Sequence, residues 1–199
     1  MKNKTIIIAE AGVNHNGKLD LAIKLIDEAA KSGADFVKFQ HTNPDLISPF
    51  AKKAKYQINN TQNSQSQKSM ISKLHLDWRK AYKILIKRCK SKKIKFLTSA
   101  FSSMDYLIVN RLKLDFIKIP SGEIVNNQLL EAISKSDKKI LLSTGMANIK
   151  EIKNALKILT RQHPLTRITL LHCVSEYPTN FKDVNLQSIV YLRNKFKVN

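Results

Sequence analysis

Residues 6–17 read IIIAEAGVNHNG: an apolar, β-branched run, a carboxylate, then a Gly/Asn loop. Ile6, Ile7 and Ile8 suit a strand buried on both faces, as in a parallel sheet. Glu10 falls at the C-terminal end of that strand, and Asn16-Gly17 supplies a turn. An amphipathic helix follows, with Leu21, Leu25, Ile26 and Ala29 at helical spacing before Gly33 stops it. Desolvating a charge is costly unless it is paired, so a carboxylate at a buried strand end points to chemistry. The plainer alternative is a Glu that caps the next helix or faces water.

The same unit recurs along the chain. Residues 35–40, DFVKFQ, alternate with period two, Val37 and Phe39 on one side and Lys38 and Gln40 on the other. Residues 41–76 form a long connection with Pro44, Pro49, lysines at 52, 53 and 55 and the polar stretch INNTQNSQSQ. Loops of this length tend to be functional lids or insertions, and a short helix is expected near Lys68 to Lys73. Asp77 is placed to cap a helix carrying Trp78, Ala81, Tyr82, Leu85, Ile86 and Cys89. Four further strands are expected at 96–99 (FLTS), 116–119 (FIKI), 140–143 (ILLS) and 168–173 (ITLLHC). Helices through Tyr106, Val109 and Leu112, around Leu129 to Ile133, and through Ile152, Leu156 and Leu159 separate them. Asn148 with Glu151 makes a capping-box start for the last of these. A final helix holds Leu186, Ile189 and Leu192.

Six strands alternating with helices indicate a parallel α/β sheet with right-handed crossovers. The candidates are an open doubly wound sheet and a TIM (β/α)8 barrel. No G-x-G-x-x-G follows any strand, which weighs against the dinucleotide-binding form of the former. Polar groups at nearly every strand end favour the barrel, whose ring brings such ends to one face. A whole barrel needs roughly 250 residues, so the 199 residues are read as one domain, 1–199, of an incomplete barrel truncated to about six βα units.

With 43% hydrophobic and 25% charged residues, the composition is that of a globular protein. No apolar run approaches the roughly 20 residues of a membrane span, and Glu10 interrupts the stretch after Lys2 and Lys4, so no signal peptide is read and a cytoplasmic location is expected. Cys89 and Cys173 read as small buried residues in a reducing compartment. The net charge of +20 raises nucleic acid as a partner. The charge is mostly lysine, scattered over helix exteriors such as Lys83, Lys87, Lys150, Lys153 and Lys157, without interleaved aromatic stacking surfaces, and no nucleic-acid partner is assigned.

If the strand ends meet, the groups delivered are Glu10, Lys38, Gln40, Ser99, Lys118, Ser121, Glu123, Ser143, Thr144, His172 and Tyr177. Lysines, hydroxyls and turn amides suit an anion, either phosphate or carboxylate, and two carboxylates can move protons. Each has a plain alternative: a salt-bridged core lysine, a structural Ser-Gly turn, a satisfied core His172.

Seven separated motifs carry a resemblance: IIIAEAGVNHNG, VKFQ, the YQ…NT…SQ…M…KL segment from Tyr56 to Leu74, FLTSAFS, FIKIPSGE, LLSTGMA and LLHCVSEYPTNFKDVNL. Together they resemble the sialic acid synthase family, which includes N-acetylneuraminate, legionaminate and pseudaminate synthases. The resemblance implies a (β/α)8 barrel followed by a small antifreeze-like domain, in a homodimer. It implies a transferase that condenses phosphoenolpyruvate with an N-acetylated hexosamine in its aldehyde form, giving a nine-carbon 2-keto acid and phosphate. A divalent metal, Mn or Mg, would polarise the aldehyde. By the same resemblance Lys38, Lys118, Ser121, Ser143 and Ser99 would hold phosphoenolpyruvate, Gln40 and Tyr177 would contact the sugar, and Glu10, Glu123 and Lys38 would be catalytic. The family's metal-ligand histidines belong to motifs expected beyond Asn199. His15, His41, His75, His163 and His172 do not match them, so no metal ligand is assigned. The rival readings are a non-catalytic subunit completed by a second chain, and a Schiff-base aldolase using Lys38 or Lys118.

Overall fold

Strands that run parallel require a crossover between them, and the helices of this chain supply it. The structure, a computed structural model, describes residues 5–41, 43–53, 57–58, 66–162 and 164–198. Tyr56, residues 59–65 of the polar stretch, and His163 lie outside the described residues. The fold is α/β with six parallel strands, and the chain divides into two units, Met1–Thr98 and Ser99–Asn199.

The first unit holds β1 (Ile8–Gly12), α1 (Leu19–Lys31), β2 (Phe36–Gln40), α2 (Gln67–Leu74), α3 (Trp78–Ser91) and all but the last residue of β3 (Lys95–Ser99). β1 and β2 pair in parallel with Ile8 opposite Phe36, Ala9 opposite Val37 and Glu10 opposite Lys38, and then Gly12 opposite Phe39. Ala11 is therefore the extra residue of a β-bulge. This corrects the reading of residues 6–8 as a strand buried on both faces. Ile6 and Ile7 are each more than half exposed, and Glu10 sits mid-strand. The Ile7 carbonyl accepts both the Asp35 and Phe36 amides, at 2.9 and 3.1 Å, so the regular ladder starts only at Ile8 and the bulge carries it past the carboxylate to Gly12.

Helical spacing in α1 buries Ala22, Ile26 and Ala29, and in α3 it buries Trp78, Ala81, Tyr82, Leu85 and Cys89. Burial pushes the Cys89 thiol up to about 12, so this cysteine is inert packing. Asp27 of α1 accepts two bonds from Arg88 of α3, at 2.7 and 2.5 Å. The guanidinium holds the Asp27 carboxyl below its ordinary range. The predicted short helix of the long connection is α2, with the Ser66 hydroxyl accepting the Ser69 amide at 3.3 Å.

The first unit also holds an aromatic cluster. Phe39 stacks on Phe96 with centroids 5.5 Å apart, Trp78 stacks on Tyr82 at 5.1 Å, and His41 Nδ1 shares a hydrogen bond with the Tyr82 hydroxyl. His15 is fully buried against it, edge-on to Trp78. The Gly17 N–H donates to His15 Nδ1 at 3.1 Å, so the imidazole is neutral with its proton on Nε2. Neither that nitrogen nor Trp78 Nε1 has a hydrogen-bond partner among the described residues.

Burial, and secondarily the nearby His75, pull the His15 pKa below its ordinary 6.5. The unfolded chain therefore takes up this proton first as pH falls. His15 contributes stability that is intact above about pH 6.5 and lost as pH drops through the lower folded value. Denaturant midpoints at pH 7.5 and 5.5 are expected to differ less in His15→Gln than in the wild type. An equal difference in both sinks the assignment.

The second unit holds Ser99, the last residue of β3, then α4 (Ser103–Asn110), β4 (Phe116–Ile119), α5 (Asn127–Ile133), β5 (Lys139–Ser143), α6 (Ile149–Leu159), β6 (Ile168–Leu171) and α7 (Gln187–Phe196). Ser99 lies opposite Lys118, Lys118 opposite Leu141, and Ser143 opposite Leu171, all in parallel pairs. Side-chain oxygens of Ser102 and Asn126 cap α4 and α5. The Asn148–Glu151 capping box forms in both directions, at 2.8 and 3.0 Å. Fully buried Ile117, Ile119, Leu129, Leu130, Ile133, Ile140, Leu142 and Leu159 fill the core, each stabilising the fold by roughly 1.5–3 kcal/mol before entropy is charged.

Two helices end differently from their sequence reading. α4 stops at Asn110, leaving Leu112 in the following turn. Leu186 precedes α7 and is exposed, Ile189 is exposed as well, and α7 buries Leu192 alone. Among the described residues no helix is long and apolar enough to cross a membrane.

Candidate functional site

In the first unit the parallel register sets Glu10 beside Lys38. The Lys38 ammonium donates to both carboxylate oxygens, at 3.0 Å to Oε1 and 2.8 Å to Oε2. The two partners differ in environment. The Lys38 side chain is 11% exposed and that of Glu10 51%. Gly12, at φ +54°, passes so close that a Cβ there would lie 3.3 Å from Glu10 Oε1, so the bulge gives the carboxylate its room. Gln40 closes β2 and is half-buried.

In the second unit the polar groups gather where β5 ends. Gly145 is buried, and its N–H donates to Ser121 Oγ at 3.1 Å. A Cβ at Gly145 would stand 2.6 Å from Ser175 Oγ, 2.9 Å from Ser121 Oγ and 3.3 Å from Cys173 Cβ. The Cys173 thiol donates to Ser143 Oγ at 3.3 Å. Hydroxyls from two separate segments thus face one glycine. Thr144 is a tie rather than a free group, its amide and hydroxyl both donating to the Leu171 carbonyl at 3.0 Å.

Lys118 is buried, its Nζ donating to the Ile119 carbonyl at 2.8 Å at the end of β4. Glu123 lies in the single turn Ser121–Glu123, and its carboxylate accepts the Asn126 side-chain Nδ2–H at 2.7 Å. Ser99 is buried in register with Lys118. His172 Nε2 bonds the Val184 carbonyl at 2.7 Å, a structural contact. Tyr177 is 64% exposed.

Three participants in this cup do not stand out in the sequence as site residues: Gly145, Cys173 and Ser175. The apolar run around Cys173 suggests simple packing, yet the thiol is half-buried among hydroxyls. The available signal is position, because LHCVS leaves β6 just as STGM leaves β5.

A separate cleft of about 240 Å³ lies between β6 and α7, lined by Leu170, Leu171, His172, Ile189, Leu192, Arg193 and Val198. It is largely apolar and its histidine is already engaged, so it lacks the convergent polar groups of a reaction site. Among the described residues no group of three or more His, Cys, Asp or Glu side chains is placed to hold a metal ion. His15, His41 and His172 spend ring nitrogens on Gly17, Tyr82 and Val184. The described residues therefore do not fit a metal centre.

The chain is 52% identical to N,N'-diacetyllegionaminic acid synthase of Campylobacter jejuni over 98% of its length and 59% of that protein's. It is 33% identical to pseudaminic acid synthase of Helicobacter pylori, covering 96% of this chain and 56% of that protein. It thus spans under three fifths of the length of these relatives. Its backbone matches a solved N-acetylneuraminic acid synthetase from Leptospira borgpetersenii, in complex with citrate, with a TM-score of 0.76 and 32% identity, over 100% of this chain and 66% of that one. Residues 25–199 match the NeuB family, and the chain belongs to that family.

Proposed function

We propose that this chain carries the phosphoenolpyruvate-condensing chemistry of a sialic-acid-type synthase, on the strand and helix units of a (β/α)8 barrel. The observation that supports it most is the set of hydroxyls, Ser121, Ser143 and Ser175, that gathers around the end of β5 in the second unit, in a chain of this family. Such a cluster of donors suits phosphate or carboxylate oxygens. Within the second unit Lys118 and Ser99 add charge and a hydroxyl, and Tyr177 is assigned to the sugar; within the first unit Lys38 is assigned to the anion and Gln40 to the sugar.

In the reaction, the methylene carbon of the enol phosphate forms a bond to the aldehyde carbon, and the aldehyde oxygen takes up a proton. Water then adds to the cationic C2 and loses one proton; the C2–O bond to phosphate breaks as the new hydroxyl gives up the other proton, which leaves with the phosphate, and a 2-keto acid remains. By the same reading Glu10 of the first unit and Glu123 of the second are assigned to those protons. Fixed ammonium and hydroxyl groups stabilise the developing charge better than mobile water does. The likeness to a diacetyllegionaminic acid synthase favours an amino sugar with two acetamido groups.

Both lysines act as bonded donors, Lys38 to Glu10 and Lys118 to Ile119. This favours anion anchoring over the free amine that a Schiff base requires. The test is phosphate release from phosphoenolpyruvate, dependent on an N-acetylated or diacetylated hexosamine aldehyde. Lys38→Met is expected to cut that release by about 10²–10³-fold, the range for loss of one charge-stabilising donor. Retained turnover in Lys38→Met, or a borohydride-trapped pyruvate adduct on the wild type, overturns the reading.

A further inference from the structure

We propose that Glu10 is the resident counter-ion of Lys38, and that an anionic substrate group binds Lys38 by displacing the Glu10 carboxylate. The inference rests on the reading of Lys38 as an anion anchor. A nearly buried ammonium needs an anion beside it at all times, because leaving it unpaired away from water is costly. Glu10 meets that need with two contacts, at 3.0 and 2.8 Å.

The pair is built so that one member stays and the other leaves. Lys38 is packed into β2 with 11% of its side chain exposed, and β2 has buried residues on either side of it. Glu10 is 51% exposed, so its carboxylate regains water when it swings out. It does so beside the bulge, where Gly12 adds no side chain and Ala11 interrupts the ladder. An arriving phosphate or carboxylate offers Lys38 the same paired oxygens in exchange.

The exchange has a chemical consequence. Until the anion arrives, both Glu10 oxygens are occupied by the ammonium. Afterwards the carboxylate is free and water-facing, next to the bound substrate. Anion binding thus unmasks a proton acceptor only when there is a substrate to use it.

Inorganic phosphate, titrated calorimetrically into the full chain, is the probe. Removing the competitor in Glu10→Gln is expected to tighten phosphate binding roughly fivefold, the scale of a partly exposed ion pair. KM for phosphoenolpyruvate is expected to fall with it, while kcat drops. Glu10→Ala supplies the same comparison if the Gln variant does not fold. In a Lys38→Met background the Glu10 substitution is expected to change nothing. Phosphate binding that needs Lys38 but is unchanged or weakened in Glu10→Gln and Glu10→Ala overturns the counter-ion role and leaves the anchor intact. Phosphate binding indifferent to Lys38→Met removes the anchor, and the counter-ion with it.

Discussion

Gly17→Ala is expected to lower unfolding free energy by about 2–4 kcal/mol, a large part of the roughly 5–15 kcal/mol that holds a typical domain together. Two costs add. Gly17 sits at φ +73°, where an L-residue with a Cβ is strained by about 1–2 kcal/mol. That Cβ would also lie 2.8 Å from the Lys73 carbonyl oxygen and 3.1 Å from that of His75. Both are backbone atoms at the end of α2 and cannot rotate aside. Any shift that relieves the contact drags the Gly17 N–H off His15 Nδ1, leaving a second nitrogen of a buried ring without a partner. Gly33 is the internal control: it has φ +78°, but nothing lies within 4 Å of where a Cβ would stand. Gly33→Ala should therefore show the strain alone, about 1 kcal/mol. Urea denaturation of the two variants separates the terms. Equal losses in both mean that the contact with α2 contributes nothing.

What was legible in the chain follows from how locally each feature is encoded. Helices α1, α3 and α6 were readable because one residue in every three or four is apolar, a pattern that requires no knowledge of the neighbour. The Asn148–Glu151 box was readable because both partners lie within four residues. Residues 6–8 misled because three isoleucines look alike whether a strand neighbour covers them or not. Only the register with β2 shows that the ladder begins at Ile8. The bulge at Ala11 was hidden for a related reason, since one extra residue simply breaks a period-two pattern. At the site, Glu10 and Lys38 were each visible as charges in apolar runs. Their pairing depends on a register spanning 28 positions. The cup around Gly145 draws on three segments, and no spacing within any one of them reveals that Ser121, Cys173 and Ser175 meet there.

Gly145→Ala tests that cup, and the expected result is loss of binding with little loss of fold. The φ angle of Gly145 is not in the left-handed region, so alanine meets no backbone penalty. The atoms its Cβ would strike at 2.6 and 2.9 Å are the Ser175 and Ser121 hydroxyls, side-chain ends that can turn to another rotamer at a cost of about 1 kcal/mol. Turning them, however, takes Ser121 Oγ away from the Gly145 N–H and fills the space that an anion's oxygens would use. Loss of two oriented donors predicts a drop in phosphate affinity of at least roughly tenfold, since each neutral hydrogen bond is worth about 1 kcal/mol. Ser121→Ala removes one donor without filling the space, so it should weaken binding less. Titration of phosphate into both variants, with thermal melts alongside, reads the two effects separately. If Gly145→Ala binds phosphate as the wild type does while its melting temperature is unchanged, the hydroxyls around Gly145 are packing, and the anion is held elsewhere.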